Sequence, residues 1–228
     1  MHMLSKMIRG DMKPALGVTE PGAIAFAVAT AKQYTKGQLV EVRVSLNSGM
    51  YKNAFTCGIP HSDEVGNVFA AALGYVAGVA EKGLESLECV TEEDNLHAKE
   101  LVEQGKVIVN LDHIGSEITI DATVKTEEDK CVVRIAGGHT DIYHIEKNGE
   151  VLFEKLRKEQ PEVQESVIHQ YTLRDFVDYI GHVDEKEIAF IREAFSMNME
   201  LLELGLASDK TTFGPLLWKN NGGKMLSE

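Results

Sequence analysis

Hydrophobic and polar residues alternate through the middle of the chain, which is the pattern of β-strands with one buried face. The segment 38–46 carries its apolar residues on one side, at Val40, Val42, Val44 and Leu46. The same alternation predicts further strands at 106–111, 117–125, 130–136, 142–147 and 150–153. Asn148-Gly149 separates the last two segments. Because both turn positions of a type I′ hairpin require positive φ, this dipeptide predicts that they pair as a hairpin.

Helical periodicity and capping residues predict helices on both sides of these strands. The helices are expected at 4–13, 23–32, 64–80, 91–105, 172–181 and 184–204. Because the segment 23–32 is apolar on every side, we expect it to be buried all round. The segment 64–80, with Asp63 as its expected cap, contains Gly66, Gly74 and Gly78, each of which lowers helix propensity by about 1 kcal/mol relative to Ala. We therefore expect another backbone to pack closely against this helix.

This order of elements predicts an α+β fold, in which helices cover a mostly antiparallel sheet and a helical extension follows. The α+β domain is expected to span 1–158, and the helical extension 159–228. The helix 172–181 carries an apolar stripe, formed by Leu173, Phe176, Val177 and Ile180. The helix 184–204 is expected to turn its own apolar residues inward, at Ile188, Ile191, Phe195 and Leu202. The remaining tail shows no long periodic pattern.

Composition and charge exclude several classes of function. The 228 residues include 23 Lys and Arg against 36 Asp and Glu, for a net charge of −13. Such a surface repels phosphate, so we expect neither nucleic acid nor an anionic membrane as a partner. Cys57, Cys89 and Cys131 form no CxxC pair, which argues against a disulfide framework or a zinc site. Since the sequence also shows no signal peptide and no membrane-length apolar run, we expect a cytoplasmic protein.

The turn before the second helix is the first candidate site. Thr19 is expected to cap that helix, with Glu20 in its first turn. Backbone N–H groups at a helix N-terminus attract anions, so this turn suits a substrate carboxylate. An ordinary helix cap is the alternative interpretation.

Two further segments carry candidate binding groups. Gly137-Gly138-His139-Thr140 follows a strand, and paired glycines allow a ligand close to the backbone, where His139 would act as acid or base. A glycine-bearing connection with a surface histidine is the alternative. The segment 47–53, expected to be a polar turn at a strand end, offers binding groups at Asn47, Lys52 and Asn53, with Ser45 and Ser48 beside them.

Metal binding and thiol chemistry are competing interpretations. The available metal ligands are His61, Asp63, His139, Asp141 and His144. In an extended segment, His139 and His144 point to opposite faces, which opposes a simple local chelate. Cys57 is a candidate nucleophile paired with His139, although a small buried cysteine is the commoner outcome.

Three motifs in this order resemble a known family of lyases. They are K-P-A-L-G-V-T-E-P from Lys13, V-x-V-S-L-N-S-G-M-Y-K-N from Val42, and I-A-G-G-H-T-D-I-Y-H-I-E from Ile135. Together they resemble the L-cysteine desulfidase group of the serine dehydratase alpha-chain-like superfamily, over about residues 8–206. The resemblance implies an amino-acid substrate, L-cysteine or L-serine, and β-elimination that gives pyruvate and ammonia.

The resemblance also implies a 4Fe-4S cluster, which Cys thiolates hold. Val18 stands where the family motif has a ligand cysteine, and valine offers no donor atom. Family members continue into a Cys-rich second half that carries the other ligands. The resemblance thus predicts the N-terminal portion of an amino-acid lyase that is inactive alone and has no metal ligand of its own. Thr19, Glu20 and the 137–140 turn, with His139 as the catalytic group, would face the cleft.

A non-catalytic relative is the alternative hypothesis, either a pseudoenzyme or an interaction domain for a small molecule or a protein. Either hypothesis leaves room for a companion chain or for self-association. Apolar residues near the C-terminal end are candidates for such a contact, namely Phe213, Leu216, Leu217 and Trp218.

Overall fold

The computed structural model describes residues 1–12, 17–156, 167–208 and 213–224. The helices are α1 (Met3–Asp11), α2 (Thr19–Gln33), α3 (Ser48–Ala54), α4 (Gly66–Val76), α5 (Glu92–Glu103), α6 (Leu173–His182), α7 (Phe190–Ala207) and α8 (Phe213–Asn220). Short 3-10 helices span Ala80–Glu85 and Val167–Gln170. The strands are β1 (Leu39–Asn47), β2 (Val107–His113), β3 (Thr119–Thr126), β4 (Lys130–Ala136), β5 (Ile142–Lys147) and β6 (Glu150–Glu154).

The six strands form one sheet in the order β2-β1-β3-β4-β5-β6. Only the β1–β2 pair is parallel, and each other neighbouring pair is antiparallel. The predicted α+β fold with a mostly antiparallel sheet is therefore confirmed. The hairpin between β5 and β6 is confirmed too, because Asn148 and Gly149 have φ values of 52° and 88°.

Helices α2 and α4 cover one face of the sheet. The core residues on that face lie side by side across four strands, at Val44, Ala122, Val133 and Ile145. Residues 23–29 and 31 of α2 are all buried, as their all-round apolar character predicts. Val40 departs from the expected alternation, since it is 42% exposed where the β1–β3 register shifts.

Gly74 of α4 packs against the backbone of α2, as predicted, and Gly78, just after α4, packs against an α2 side chain. A Cβ atom added to Gly74 would lie 2.6 Å from Ala25 Cα, and one added at Gly78 would lie 2.8 Å from Ala29 Cβ. The predicted start of this helix is wrong, however. Its N-cap is Val65 rather than Asp63, because Val65 is extended and bridges to Gly58 in a short β-contact.

Three further boundaries differ from the sequence prediction. The segment 48–54, expected to be a turn, is the helix α3, and the tail contains the helix α8. α7 begins at Phe190 instead of residue 184. The prediction that its apolar residues point inward is also wrong. Phe195 is 66% exposed, and no described residue of α6, α7 or α8 is buried.

The chain divides into two compact units. The sheet unit comprises residues 15–159, and the helical unit comprises residues 1–14 with 160–228. The predicted boundary at 158/159 and residue 13 of the first predicted helix lie outside the described residues. Within the helical unit, Ser5 Oγ lies 2.8 Å from Tyr179 Oη, and the Arg9 guanidinium lies 4.7 Å from the Phe190 ring centre. Among the described residues, no helix is long and apolar enough to cross a membrane.

Candidate functional site

The N-terminus of α2 lacks the side-chain cap that α5 and α6 have. Its N-cap is Val18, which is 53% exposed and makes no side-chain cap. The prediction that Thr19 caps the helix is therefore wrong, because Thr19 is already its first helical residue. Pro21 contributes no N–H group, so the first turn presents the N–H groups of Thr19 and Glu20 at the positive end of the helix dipole.

The Thr19 side chain connects this helix terminus to the turn after β4. Its Oγ1 atom lies 3.3 Å from His139 Nε2 and 3.4 Å from Glu20 Oε2. Whether Thr19 or His139 donates depends on the tautomer of the imidazole. Thr19, Glu20 and His139 are all half-buried, so a ligand here would contact both protein and solvent.

The Glu20 carboxylate extends the network to the end of α3. Asn53 Nδ2 donates to Glu20 Oε1 at 2.8 Å, and the Cys57 thiol donates to the Asn53 carbonyl oxygen at 2.6 Å. Thr19, Glu20, Asn53, Cys57 and His139 are hereafter the α2-terminal cluster. It joins three segments of the chain. Glu20 and Asn53 are more than 30 residues apart, and Cys57 and His139 are more than 80 residues apart.

Electrostatics in the cluster keep the Cys57 thiol protonated. Partial burial raises the pKa of this thiol, and the nearby Glu20 charge raises it further. A nucleophilic cysteine needs a lowered pKa, since the thiolate is the reactive form. The geometry therefore opposes the hypothesis that Cys57 is a nucleophile paired with His139, whose observed partner is Thr19.

The two glycines before His139 shape the turn that presents it. Gly137 has a φ of +84°, and its N–H donates to the Ile118 carbonyl oxygen at 3.0 Å. A Cβ atom at Gly138 would lie 2.5 Å from Asp141 Oδ2, so a larger residue there would require that carboxylate to shift. Thr140 is exposed at the tip of this turn. Substrate binding by Gly137, Gly138 and Thr140 stays a prediction, and the positive φ of Gly137 already explains the first glycine.

The structure does not bring Asn47 and Lys52 into the cluster. Asn47 is 1% exposed, and its amide binds backbone groups of Gly115 and Thr119, each at 3.0 Å. It therefore fixes the β2–β3 connection. Lys52 is exposed, and within the described residues its side chain makes no ion pair with the cluster. Binding roles for these two residues remain predictions.

Sequence reasoning missed two contacts in the cluster. The sequence pattern predicts a polar turn at Asn53, whereas α3 holds this residue against Glu20. Cys57 lies four residues after Asn53, beyond the last turn of that helix. Its thiol donates to the backbone carbonyl oxygen of Asn53, so no side-chain pattern signals the contact, which depends on the unpredicted helix α3.

The cysteines of this chain do not fit a 4Fe-4S cluster. Cys57 is half-buried with a raised pKa, Cys89 is exposed, and Cys131 lies inside β4, where burial raises its pKa to about 11. Iron–sulfur ligands must be thiolates that converge on one point. Among the described residues, no three His, Cys, Asp or Glu side chains are placed to hold a metal ion, and these residues include all three cysteines of the chain. Val18 supplies no donor at the motif position.

Sequence comparison finds longer proteins that are similar to this chain. The chain is 36% identical over 206 residues to a UPF0597 protein of Caldanaerobacter subterraneus subsp. tengcongensis, covering 90% of this chain and 49% of that protein. It is 32% identical over 218 residues to a UPF0597 protein of Clostridium botulinum (strain Loch Maree / Type A3), covering 95% and 50%. A UPF0597 protein of Clostridioides difficile (strain 630) is 32% identical over 214 residues, covering 92% and 50%.

The chain is similar to the UPF0597 proteins. It spans about half the length of the curated relatives it matches. The matches extend into both the sheet unit and the helical unit, since they leave out a tenth of the chain or less. No family model matches the chain, and no solved structure matches it. The names of the UPF0597 proteins give no activity, so the resemblance to cysteine desulfidases stays a prediction.

Proposed function

We propose that this chain is the amino-acid-binding portion of a β-eliminating lyase of the L-cysteine desulfidase and serine dehydratase-like kind. The observation that carries the proposal is the convergence of Thr19, Glu20, Asn53 and His139 at one helix terminus. These residues come from the three separate motifs on which the resemblance rests. Three motifs that meet in space point to one shared site, whereas three unrelated turns would have no reason to meet.

The cluster suits both charged groups of an α-amino acid. The N–H groups of the first turn of α2 would receive the carboxylate, because they carry the positive end of the helix dipole. The Glu20 carboxylate, oriented by Asn53, would receive the ammonium group. The two charges of the ligand would then meet opposite charges a few ångströms apart.

The His139 imidazole is the group in the cluster that is suited to accept the α-proton. Thr19 would orient its Nε2 atom through the 3.3 Å contact. Loss of the α-proton would leave an electron pair that expels the β-substituent, as sulfide from cysteine or hydroxide from serine. The aminoacrylate product would hydrolyse to pyruvate and ammonia. Because the cysteines of this chain do not fit the iron–sulfur cluster, we expect binding without turnover by this chain alone.

A non-catalytic binding domain is the second candidate function. Val18 at the position of the motif cysteine favours it, together with the different degrees of burial of the three cysteines. For either function we propose a cytoplasmic location, since free cysteines persist in a reducing compartment.

Calorimetric titration with L-serine and L-cysteine tests the binding proposal. We expect saturable binding, and we expect Glu20→Gln to weaken it at least about tenfold, which equals about 1.4 kcal/mol. Glu93→Gln is the matched control, because Glu93 is the second residue of α5 as Glu20 is of α2. If neither amino acid binds, or if both variants weaken binding equally, the proposed site is wrong.

Anaerobic iron and sulfide reconstitution tests the expectation that the chain alone is inactive. We expect no cluster absorbance and no release of sulfide or pyruvate from cysteine. A cluster-bound chain that turns over cysteine would contradict that expectation. If turnover then disappears in His139→Asn but persists in His97→Asn, a surface histidine of α5, the role of His139 would still be supported.

A further inference from the structure

The helical unit exposes apolar side chains along ordered stripes. On α6, Leu173, Val177 and Ile180 follow the i, i+4, i+7 spacing of one helix face and are 79%, 61% and 74% exposed. The opposite face of α6 is polar, with Asp178 and His182. A surface helix normally directs such a stripe into a core. This stripe has no covering residue within the described part of the chain.

A groove between α7 and α8 repeats the pattern. It has a volume of about 440 Å³, and Leu202, Leu206, Leu217 and Trp218 form its apolar wall. Trp218 is 39% exposed and is the only tryptophan of the chain. A concave apolar site with a partly open aromatic side chain is typical of a surface that binds another polypeptide.

In the described part of the sheet unit, charged pairs occupy the open face of β1 and β4. The face of β1 away from α2 carries Glu41 and Arg43, which form an ion pair with an N–O distance of 2.7 Å, and β4 adds Arg134 paired with Asp121 at 2.8 Å. Charged pairs of this kind remain solvated at little cost. A covering polypeptide would therefore gain more from the helical unit than from this open face of the sheet.

We propose that the α6 stripe and the α7–α8 groove together are the docking surface for the part of a UPF0597 protein that this chain does not match. The chain accounts for 49–50% of each of the three relatives reported above, so about half of each relative remains to be packed. The stripe and the groove are ordered apolar surfaces of the kind that such a half would cover. The inference is independent of the lyase proposal, because it uses no residue of the α2-terminal cluster.

Co-expression tests the docking surface. The full chain, labelled with 5-fluorotryptophan at Trp218, is produced together with the segment of the Caldanaerobacter UPF0597 protein outside the match. We expect the two polypeptides to co-purify as a one-to-one complex by light scattering. We also expect a shift of the single fluorine resonance and slower amide exchange over 173–180, 202–208 and 213–218.

Matched variants distinguish specific docking at this surface from non-specific hydrophobic association. Val177→Ser and Leu217→Ser should each weaken the complex at least tenfold. Their controls, Asp178→Ser and Lys219→Ser, replace polar residues one and two positions away on the same helices and should leave affinity unchanged. A homodimer of this chain in place of the complex would overturn the proposal, as would a monomer that captures no partner. A complex that both apolar variants leave intact would overturn the assigned surface.

Discussion

The two units of this chain place the same kind of side chain in opposite environments. Ile24 of α2 is completely buried between the sheet and α4, whereas Ile180 of α6 is 74% exposed. Both isoleucines lie on helices whose sequences are rich in apolar residues. The apolar residues of a helix therefore mark the face that can pack against a neighbour, but they stabilise the helix only where a neighbour covers that face.

Helix capping, by contrast, is the same in α5 of the sheet unit and in α6 of the helical unit. Thr91 and Asp94 cap α5 reciprocally, and Thr172 and Asp175 cap α6 in the same way. The backbone N–H of each threonine donates to its aspartate, at 2.9 Å in α5 and 2.7 Å in α6. Capping depends on four neighbouring residues, so it forms with or without a packed core behind it.

Truncating the two isoleucines should give the largest contrast. Ile24→Ala removes buried methyl groups and should destabilise the sheet unit by about 2–5 kcal/mol. Ile180→Ala removes exposed ones and should change unfolding free energy by less than about 0.5 kcal/mol. Urea unfolding followed by circular dichroism measures both. Equal losses in the two variants would mean that α6 is packed as tightly as α2.

Adding one methyl group should sharpen the contrast and reverse its sign. Gly74→Ala would press a Cβ atom against the Ala25 backbone, where 2.6 Å separates the atoms, and should cost about 1–3 kcal/mol. Gly205→Ala in α7 meets no atom within 4 Å and should stabilise that helix by up to about 1 kcal/mol. The shift in the thermal midpoint of each variant reports the sign. A stabilising Gly74→Ala would contradict the close packing of α2 and α4.

The capping threonines should give a smaller effect. Thr91→Ala and Thr172→Ala each remove one cap, worth about 1 kcal/mol of helix stability. In α5 the loss should appear in unfolding of the whole sheet unit, because Ala98 and Leu101 anchor that helix in the core. In α6 it should appear only as faster local amide exchange. Matching global destabilisation in both variants would show that α6 unfolds together with a core.

Sequence periodicity predicted the sheet unit well because its patterns are those of buried elements. The limits of β4 were predicted without error, and the all-apolar α2 pointed directly to a buried helix. The helix α3 was missed because Gly49 and Asn53 favour turns in isolation, while Met50 and Ala54 are buried by tertiary packing. The start of α7 was misplaced because an apolar stripe alone does not show where a helix begins.

The candidate site was predictable in its parts but not in its assembly. Thr19, Glu20, Asn53 and His139 were each recognised as candidates from the local sequence. Their hydrogen bonds depend on the sheet order, which places the turn after β4 beside the start of α2. Asn47 shows the opposite case, since its polar side chain suggested binding and its 1% exposure shows that it supports a loop.

Lowering the pH should give the smallest difference in stability between the two units. Hydrogen bonds from Thr91 and Thr172 lower the pKa of Asp94 and of Asp175. A lowered folded pKa contributes stability that is present above the ordinary aspartate value of about 3.9, and that is lost as pH falls through the folded value. Both caps therefore weaken below about pH 4.

The consequence of that weakening should differ between the helices. α5 remains held by its buried residues, whereas α6 contains none, so α6 should fray first during acidification. Amide exchange measured between pH 5 and pH 2 resolves the order. Asp175→Asn removes the titrating group and should flatten the response of α6 while leaving that of α5 unchanged. If α5 lost its protection first, packing would not be what distinguishes the two units.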